Sequence, residues 1–191
     1  LVTGHDGFIG SKIVKGYEEV GHNIITVDDL FENDSYDDSV IESIGDRQLD
    51  VINHHGAQTD IRTSNRFPEV DARTNILGTI KVLRIAKEQG VKKIIYASTC
   101  ACYGNPDRIP IDETDKTEPI SNYGLSKLAG EKYIKLIGIP YVIFRYANVW
   151  SEYCNKGIYS VLRDNPTPTI FGDGSSTRDY VHVDDVVRAN V

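Results

Sequence analysis

The sequence predicts an α/β protein built on a doubly wound parallel sheet, and three observations carry that expectation. Apolar runs alternate with amphipathic stretches along the chain, as in a parallel sheet covered by helices on both faces. The chain opens on a strand end, a glycine-punctuated turn and a helix start, Leu1-Val2-Thr3-Gly4-His5-Asp6-Gly7-Phe8-Ile9-Gly10. An acid, Asp28, then closes the next apolar run.

Strands are expected at residues 1–3, 23–27, 50–54, 93–97 and 141–145, and helices at 8–20, 39–44, 70–89 and 122–137. Gly21, Gly90 and Gly138 follow three of the helix ends, where a left-handed C-cap is expected. Pro140 opens the fifth strand, where its missing N–H is tolerable. A sheet of this kind usually has a further strand between Asp28 and Val51. Here that interval holds an acidic loop at 32–38 and one short helix. The chain passes quickly from strand to helix again at 150–160. It has no methionine, begins directly on a strand and stops inside a helix just beginning at 183–191. We therefore expect the 191 residues to be part of a longer protein. Residues 1–148 would form a dinucleotide-binding domain, and 149–191 the start of a small C-terminal substrate-binding domain.

A net charge of −7 argues against nucleic-acid or membrane surfaces, whose partners are anionic. No apolar stretch approaches membrane-spanning length. The three cysteines form no metal-binding spacing, and Cys100-Ala101-Cys102 would make a poor structural disulfide. A reduced, cytoplasmic location is expected.

The opening turn has a chemical reading. Glycines allow the tight bend and close backbone approach that a pyrophosphate needs, and the helix N-terminus supplies N–H groups and partial positive charge. Asp28, at the end of the second strand, suits the adenosine ribose hydroxyls and repels a 2′-phosphate, which favours NAD over NADP. Tyr123 and Lys127 stand four apart on one face of a helix that Ser121 or Asn122 can cap. A lysine one turn away stabilises a phenolate and would lower the Tyr123 pKa toward working pH, making it a base for a sugar hydroxyl. An ordinary surface pair is the competing reading. Ser98-Thr99 follows the fourth strand, at the sheet end where such folds bind ligands, although such a pair is more often a turn or cap. Arg178, after the turn Phe171-Gly172-Asp173-Gly174, suits a forked contact to a diphosphate or an ion pair with Asp179 or Asp184. His54 and His55 are adjacent, so they point to opposite faces and read as packing rather than metal ligands. No histidine is placed to activate Cys100 or Cys102, and Trp150 reads as packing.

Taken together, several motifs resemble those of the extended short-chain dehydrogenase/reductases, within the NAD-dependent nucleotide-sugar epimerase/dehydratase family. They are Thr3-Gly4-x-x-Gly7-Phe8-Ile9-Gly10, Asp28-Asp29-Leu30, His54-His55-Gly56-Ala57-Gln58 and Asn75-Ile76-Leu77-Gly78-Thr79. They continue through Ser98-Thr99 before Tyr103-Gly104, Tyr123-x-x-x-Lys127, Arg145-Tyr146-Ala147-Asn148 and the run from Arg178 to Asp185. The resemblance covers nearly the whole chain and implies a Rossmann fold.

The resemblance also implies roles. Gly4, Gly7, Phe8, Ile9 and Gly10 would hold the pyrophosphate, Asp28 the ribose, and Asp29 and Leu30 the adenine end. Gly56, Ala57, Gln58, Ala97, Ser98 and Tyr146 would line the cofactor, and Asn75 would support the backbone near the nicotinamide. Tyr123 would be the base, Thr99 its hydroxyl partner and Lys127 the holder of the nicotinamide ribose. Asn148 and Arg178 would contact the diphosphate of the substrate, alongside Thr99 and Tyr123. The implied activity is inversion at C4 of a UDP-hexose through a transient 4-keto sugar, with a homodimer formed by four helices, 70–89 and 122–137 from each copy. Family dehydratases carry Asp-Glu directly after the threonine. Cys100-Ala101 stands there in this chain and disfavours dehydration. A related reductase or decarboxylase, or a non-catalytic NAD sensor, are the competing readings.

Overall fold

The computed structural model of the chain describes residues 1–27, 44–154, 157–169 and 172–191. Asp28, Asp29, Leu30, nearly all of the helix expected at 39–44 and any strand before Ile44 lie outside the described residues.

Five parallel strands make the sheet: β1 (Val2–Thr3), β2 (Thr26–Val27), β3 (Val51–His54), β4 (Lys93–Thr99) and β5 (Tyr141–Tyr146), in the order β2-β1-β3-β4-β5. The strand expected at 23–27 pairs only over Thr26–Val27, because β1 offers just two residues to pair with. β4 runs two residues beyond its expected end. Ser98 and Thr99 belong to the ladder, opposite Arg145 and Tyr146, rather than to the following turn. The chain leaves β1 for β2 on one side and later returns to β3 on the other, so the topological switch point lies between β1 and β3.

Helices cover both faces. On one face lies α1 (Phe8–Glu19), packed with α7 (Val183–Asn190) through Val2, Ile13, Tyr17 and Val187. On the other lie α4 (Gly78–Glu88) and α5 (Asn122–Leu136), around a core that includes Ile52, Val82, Leu83, Ile85, Ala86, Ile94, Tyr96 and Ile134. A short helix, α2 (Ile61–Arg66), was not anticipated from the sequence, and another, α3 (Pro68–Ala72), begins before the helix expected at 70–89. The helix expected at 70–89 is broken into α3, a π turn at Arg73–Leu77 and α4. The chain then adds a 3₁₀ turn, Cys100–Tyr103, and α6 (Gly157–Asp164). A separate parallel pair forms from β6 (Asn148–Trp150) and β7 (Tyr180–His182). The glycines at three helix ends, Gly21, Gly90 and Gly138, all adopt positive φ, as expected of C-caps.

A buried ion pair fixes α5 to the sheet. Glu131 is fully buried and accepts two hydrogen bonds from Arg145 on β5, at 2.8 and 2.7 Å, and one from Ser98 Oγ on β4. Arg145 also donates to Tyr103 Oη at 2.8 Å and to the Glu113 carbonyl at 3.2 Å. Burial pushes the Glu131 carboxyl up, but the hydrogen bonds from Arg145 and Ser98 outweigh it and hold the group below its ordinary value. The stabilisation is therefore fully present above the ordinary carboxylate range and is lost as pH falls below it. Glu131→Gln keeps the shape and leaves the Arg145 charge unpaired. We predict a loss of about 3 kcal/mol in unfolding free energy by urea titration at pH 7, shrinking as the pH is lowered toward 4.

Candidate active site

The switch-point crevice is built by glycines in contact. Gly4 has φ +68°, and a Cβ there would lie 2.6 Å from the Gly56 nitrogen at the end of β3. A Cβ on Gly10 would lie 2.0 Å from the Gly4 carbonyl oxygen. No side chain larger than hydrogen fits either place, so the β1 turn, the start of α1 and the β3 end approach as bare backbone. Gly7 is the N-cap of α1 and no side chain caps that end. Uncapped N–H groups beside a narrow glycine cradle fit the pyrophosphate of a dinucleotide, with Phe8, Ile9 and Gly10 as the first helical turn.

Behind the cradle runs a buried hydrogen-bond chain. Gly56 N–H donates to Thr3 Oγ1 at 3.0 Å, Thr3 Oγ1 lies 2.7 Å from His54 Nδ1, and His54 Nε2 lies 3.1 Å from Thr79 Oγ1. Thr79 in turn donates to the Asn75 carbonyl at 2.7 Å. Thr79 spends its proton on that carbonyl, so His54 carries its proton on Nε2 and accepts from Thr3 at Nδ1. Burial, then the Lys127 charge, push the His54 pKa far down, so the ring is neutral. His54 is a packing and backbone-holding residue, as its sequence setting suggested. Among the described residues no cluster of His, Cys, Asp and Glu could hold a metal.

The π turn places Asn75 where it clamps Gln58. Asn75 Oδ1 accepts from the Gln58 N–H at 2.9 Å, and Asn75 Nδ2 donates to the Gln58 carbonyl at 3.0 Å and to Ser126 Oγ at 3.1 Å. The buried Asp71 completes this clamp by accepting from Gln58 Nε2 at 3.0 Å and Asn75 Nδ2 at 3.2 Å. The expected backbone-supporting role of Asn75 thus has a concrete form. Asp71 was missed because nothing in an amphipathic pattern announces a buried acid.

Tyr123 and Lys127 enter the site from the first two turns of α5. Ser121 is the cap, its Oγ accepting from Gly124 N–H at 3.0 Å, while Asn122 Nδ2 donates to the Ser64 carbonyl instead. Ser64 Oγ accepts from the Tyr123 N–H at 3.2 Å. At the end of β4, the Thr99 side chain lies close enough to the Tyr123 phenol to favour its ionised form, and its Oγ1 accepts from the Ala101 N–H at 3.2 Å. The residues expected as base and hydroxyl partner are therefore neighbours.

One expectation is corrected. The Tyr123 pKa is pushed up to about 12, not lowered, because burial outweighs the Thr99 hydrogen bond. Lys127 is itself buried, and burial brings its pKa down to about 7. Its Nζ stands 4.1 Å from the centroid of the Tyr96 ring.

The other expected residues divide. Ser98 spends its side chain on Glu131 at 2.5 Å, and Ala97 precedes it on β4, opposite Phe144 of β5. Ala57 follows Gly56 along the same lip. Tyr146 is half-buried. Its hydroxyl accepts from Asn190 Nδ2 at 2.7 Å and lies 3.3 Å from His55 Nε2, so α7 reaches the β5 end of the crevice. Asn148 donates through Nδ2 to the Asp179 carbonyl at 2.9 Å, which ties β6 to the segment carrying Arg178. Arg178 is exposed and donates to the Thr177 carbonyl at 2.6 Å. Among the described residues it makes no ion pair with Asp179 or Asp184. Arg178 lies near enough to Cys100 to act on that thiol, which places it on the Thr99 side of the site. All three cysteines are free.

Comparison with known proteins agrees with this geometry. A family model described as the NAD dependent epimerase/dehydratase family matches residues 1–191. A putative UDP-glucose 4-epimerase of Methanocaldococcus jannaschii is 40% identical over an alignment that covers all of this chain and 72% of that protein. The UDP-glucose 4-epimerase of Mycolicibacterium smegmatis is 34% identical over all of this chain and 71% of its own length. Among solved structures, the UDP-glucose 4-epimerase of Thermotoga maritima with UDP-glucose superposes with a TM-score of 0.86 at 36% identity, covering 99% of this chain and 71% of that one. The UDP-glucose 4-epimerase of Thermus thermophilus in complex with NAD gives a TM-score of 0.84 at 29% identity over 98% and 71% of the two chains. A glycine cradle at the switch point, a tyrosine–lysine helix against a threonine-ended strand and a match that spans the whole of this chain make it a member of the NAD-dependent epimerase/dehydratase family.

Proposed function

We propose that the chain carries the catalytic machinery for NAD-dependent inversion at C4 of a UDP-hexose of the glucose/galactose type. The observation that carries the reading is the meeting of Tyr123 and Thr99 beside the glycine cradle. The relatives named for this reaction support it.

When bound, NAD supplies reversible hydride acceptance at the sugar carbon. The chain supplies the rest. Gly4, Gly7, Phe8, Ile9 and Gly10 hold the pyrophosphate with backbone, and Gly56, Ala57, Gln58, Ala97, Ser98, Tyr146 and the Asn75 clamp shape the nicotinamide end. Asp28, Asp29 and Leu30 hold the adenosine end. Thr99 orients the sugar 4-hydroxyl, and Tyr123 Oη takes its proton as the carbonyl forms and returns it when the alcohol is restored. At about 12, the Tyr123 phenol is protonated at neutral pH in the unliganded chain. A protonated Lys127 one turn along the helix would favour the ionised phenol. Asn148 and Arg178 hold the substrate diphosphate while the keto sugar turns over. Residues 149–191 begin the sugar-reading part. Cys100-Ala101 after Thr99 offers no acid–base pair for elimination of water, which favours epimerisation over dehydration.

We also propose a homodimer. The groove between α4 and α5, about 330 Å³, is lined by Ile80, Leu83, Arg84, Lys87, Tyr133, Leu136 and Ile137, and Leu136 is 82% exposed. An apolar seam along two neighbouring helices suits a matching pair from a second copy. The free cysteines fit a reduced, cytoplasmic setting.

Two outcomes are expected. Tyr123→Phe lowers turnover of UDP-galactose by roughly 10²–10⁴-fold, while the NAD released on denaturation stays at the wild-type amount; near-native turnover would remove Tyr123 as the base. Light scattering gives twice the chain mass for wild type, and Leu136→Asp shifts it toward one; a monomeric wild type would remove the dimer.

A further inference from the structure

Lys127 has an unusual setting. It is 2% exposed, and among the described residues no carboxylate pairs directly with its ammonium. What meets Nζ is the face of a ring, Tyr96, on the middle of β4, with the centroid 4.1 Å away.

Three further features hold that ring in place. Tyr96 is 0% exposed. Its Oη donates to the Lys127 carbonyl at 3.4 Å. Gly130, on the same face of α5, faces the phenol end, and a Cβ there would stand 2.3 Å from Tyr96 Oη and 2.9 Å from Cζ. The helix therefore lacks a side chain where Tyr96 passes, and it lays Lys127 across the ring. An ammonium over an aromatic face is attracted by the ring quadrupole, and more strongly when water is excluded.

We infer that Tyr96 is a positioning residue of the site: its ring face is the seat of the Lys127 ammonium, fixing where Nζ stands relative to Tyr123 and favouring its charged form against the cost of burial in a dry helix–sheet seam. The inference rests on the proposed role of Lys127 and extends it to a residue with no contact to substrate. Other charged or titratable groups bear on Lys127 from each element around it. These are Asp71 from α3, Cys102 from the 3₁₀ turn, His54 at the end of β3 and His55 just after it, and Glu131 on α5 itself. Asp71 and Glu131 favour the ammonium from a distance, but each is already engaged, by Gln58 and Asn75 and by Arg145 and Ser98 respectively. The ring is the group in contact.

The test is the titration of Lys127, read by ¹³C NMR of labelled lysine in the whole protein stripped of cofactor, alongside the NAD dissociation constant. Tyr96→Phe keeps the ring face and is expected to keep the wild-type midpoint. Tyr96→Leu removes it and is expected to lower the midpoint by about one pH unit, a roughly tenfold loss of protonated fraction, and to weaken NAD binding by a similar factor. If the Leu variant fails to fold, stepwise fluorination of phenylalanine at 96 withdraws the ring's negative face at nearly constant shape. The midpoint should then fall with each fluorine. A midpoint that stays put through the fluorinated series, or that moves equally in the Phe and Leu variants, overturns the inference. A wild-type protein that binds NAD but does not turn over UDP-galactose would instead count against the proposed reaction and leave the Lys127 titration to judge Tyr96.

Discussion

Glu131 is wholly buried and carries a charge, and the forked pair it forms with Arg145 governs how α5 lies on the sheet. Helix and strands meet in register because two parallel N–H···O bonds admit only one alignment. Tyr123 and Lys127 stand two turns and one turn before Glu131 on the same helix, so the alignment that satisfies the acid also delivers both to the end of β4. Ser98 accepts the same discipline from the strand side, which leaves the next residue, Thr99, free to meet Tyr123. The structural pair and the proposed catalytic pair share one seam. Burying an ion pair does not by itself stabilise a fold. Its use here is to set position.

The second constraint is backbone against backbone at the switch point. Gly4 and Gly10 leave no room for side chains, and the chain running from Gly56 through Thr3, His54 and Thr79 to Asn75 joins the cradle to the π turn. The Asn75 clamp on Gln58 then binds the β3 lip to α5 through Ser126. The phosphate end and the reacting end of the crevice are thus parts of one hydrogen-bonded framework. A displacement at one end is felt at the other.

Much of this was legible in the sequence. Parallel-sheet periodicity, the glycine turn and the tyrosine–lysine spacing placed the strands, the crevice and the helix that brings Tyr123 and Lys127 to it. The clean 3.6-residue pattern across 70–89 hid the π turn, because hydrophobic period alone cannot see one extra residue in a turn. The same limit hid Asp71 and Tyr96, which look like an ordinary helix acid and an ordinary strand aromatic until the fold brings Gln58, Asn75 and Lys127 to them. Glu131 left a faint signal, an acid four residues after Lys127 on the sheet-facing stripe. The direction of the Tyr123 shift was not legible, since spacing reports the neighbouring charge and not the burial that outweighs it.

The central claim is that the phenol of Tyr123 and the hydroxyl of Thr99 converge on the reacting hydroxyl of a sugar lying over the cofactor cradle. A crystal structure of the protein with NAD and a UDP-hexose tests it most directly. In that complex Tyr123 Oη is expected within about 3 Å of the sugar 4-oxygen, with the pyrophosphate against the first turn of α1. A sugar whose C4 hydroxyl lies beyond the reach of Tyr123, or a dinucleotide bound away from Gly4 and Gly10, would contradict it.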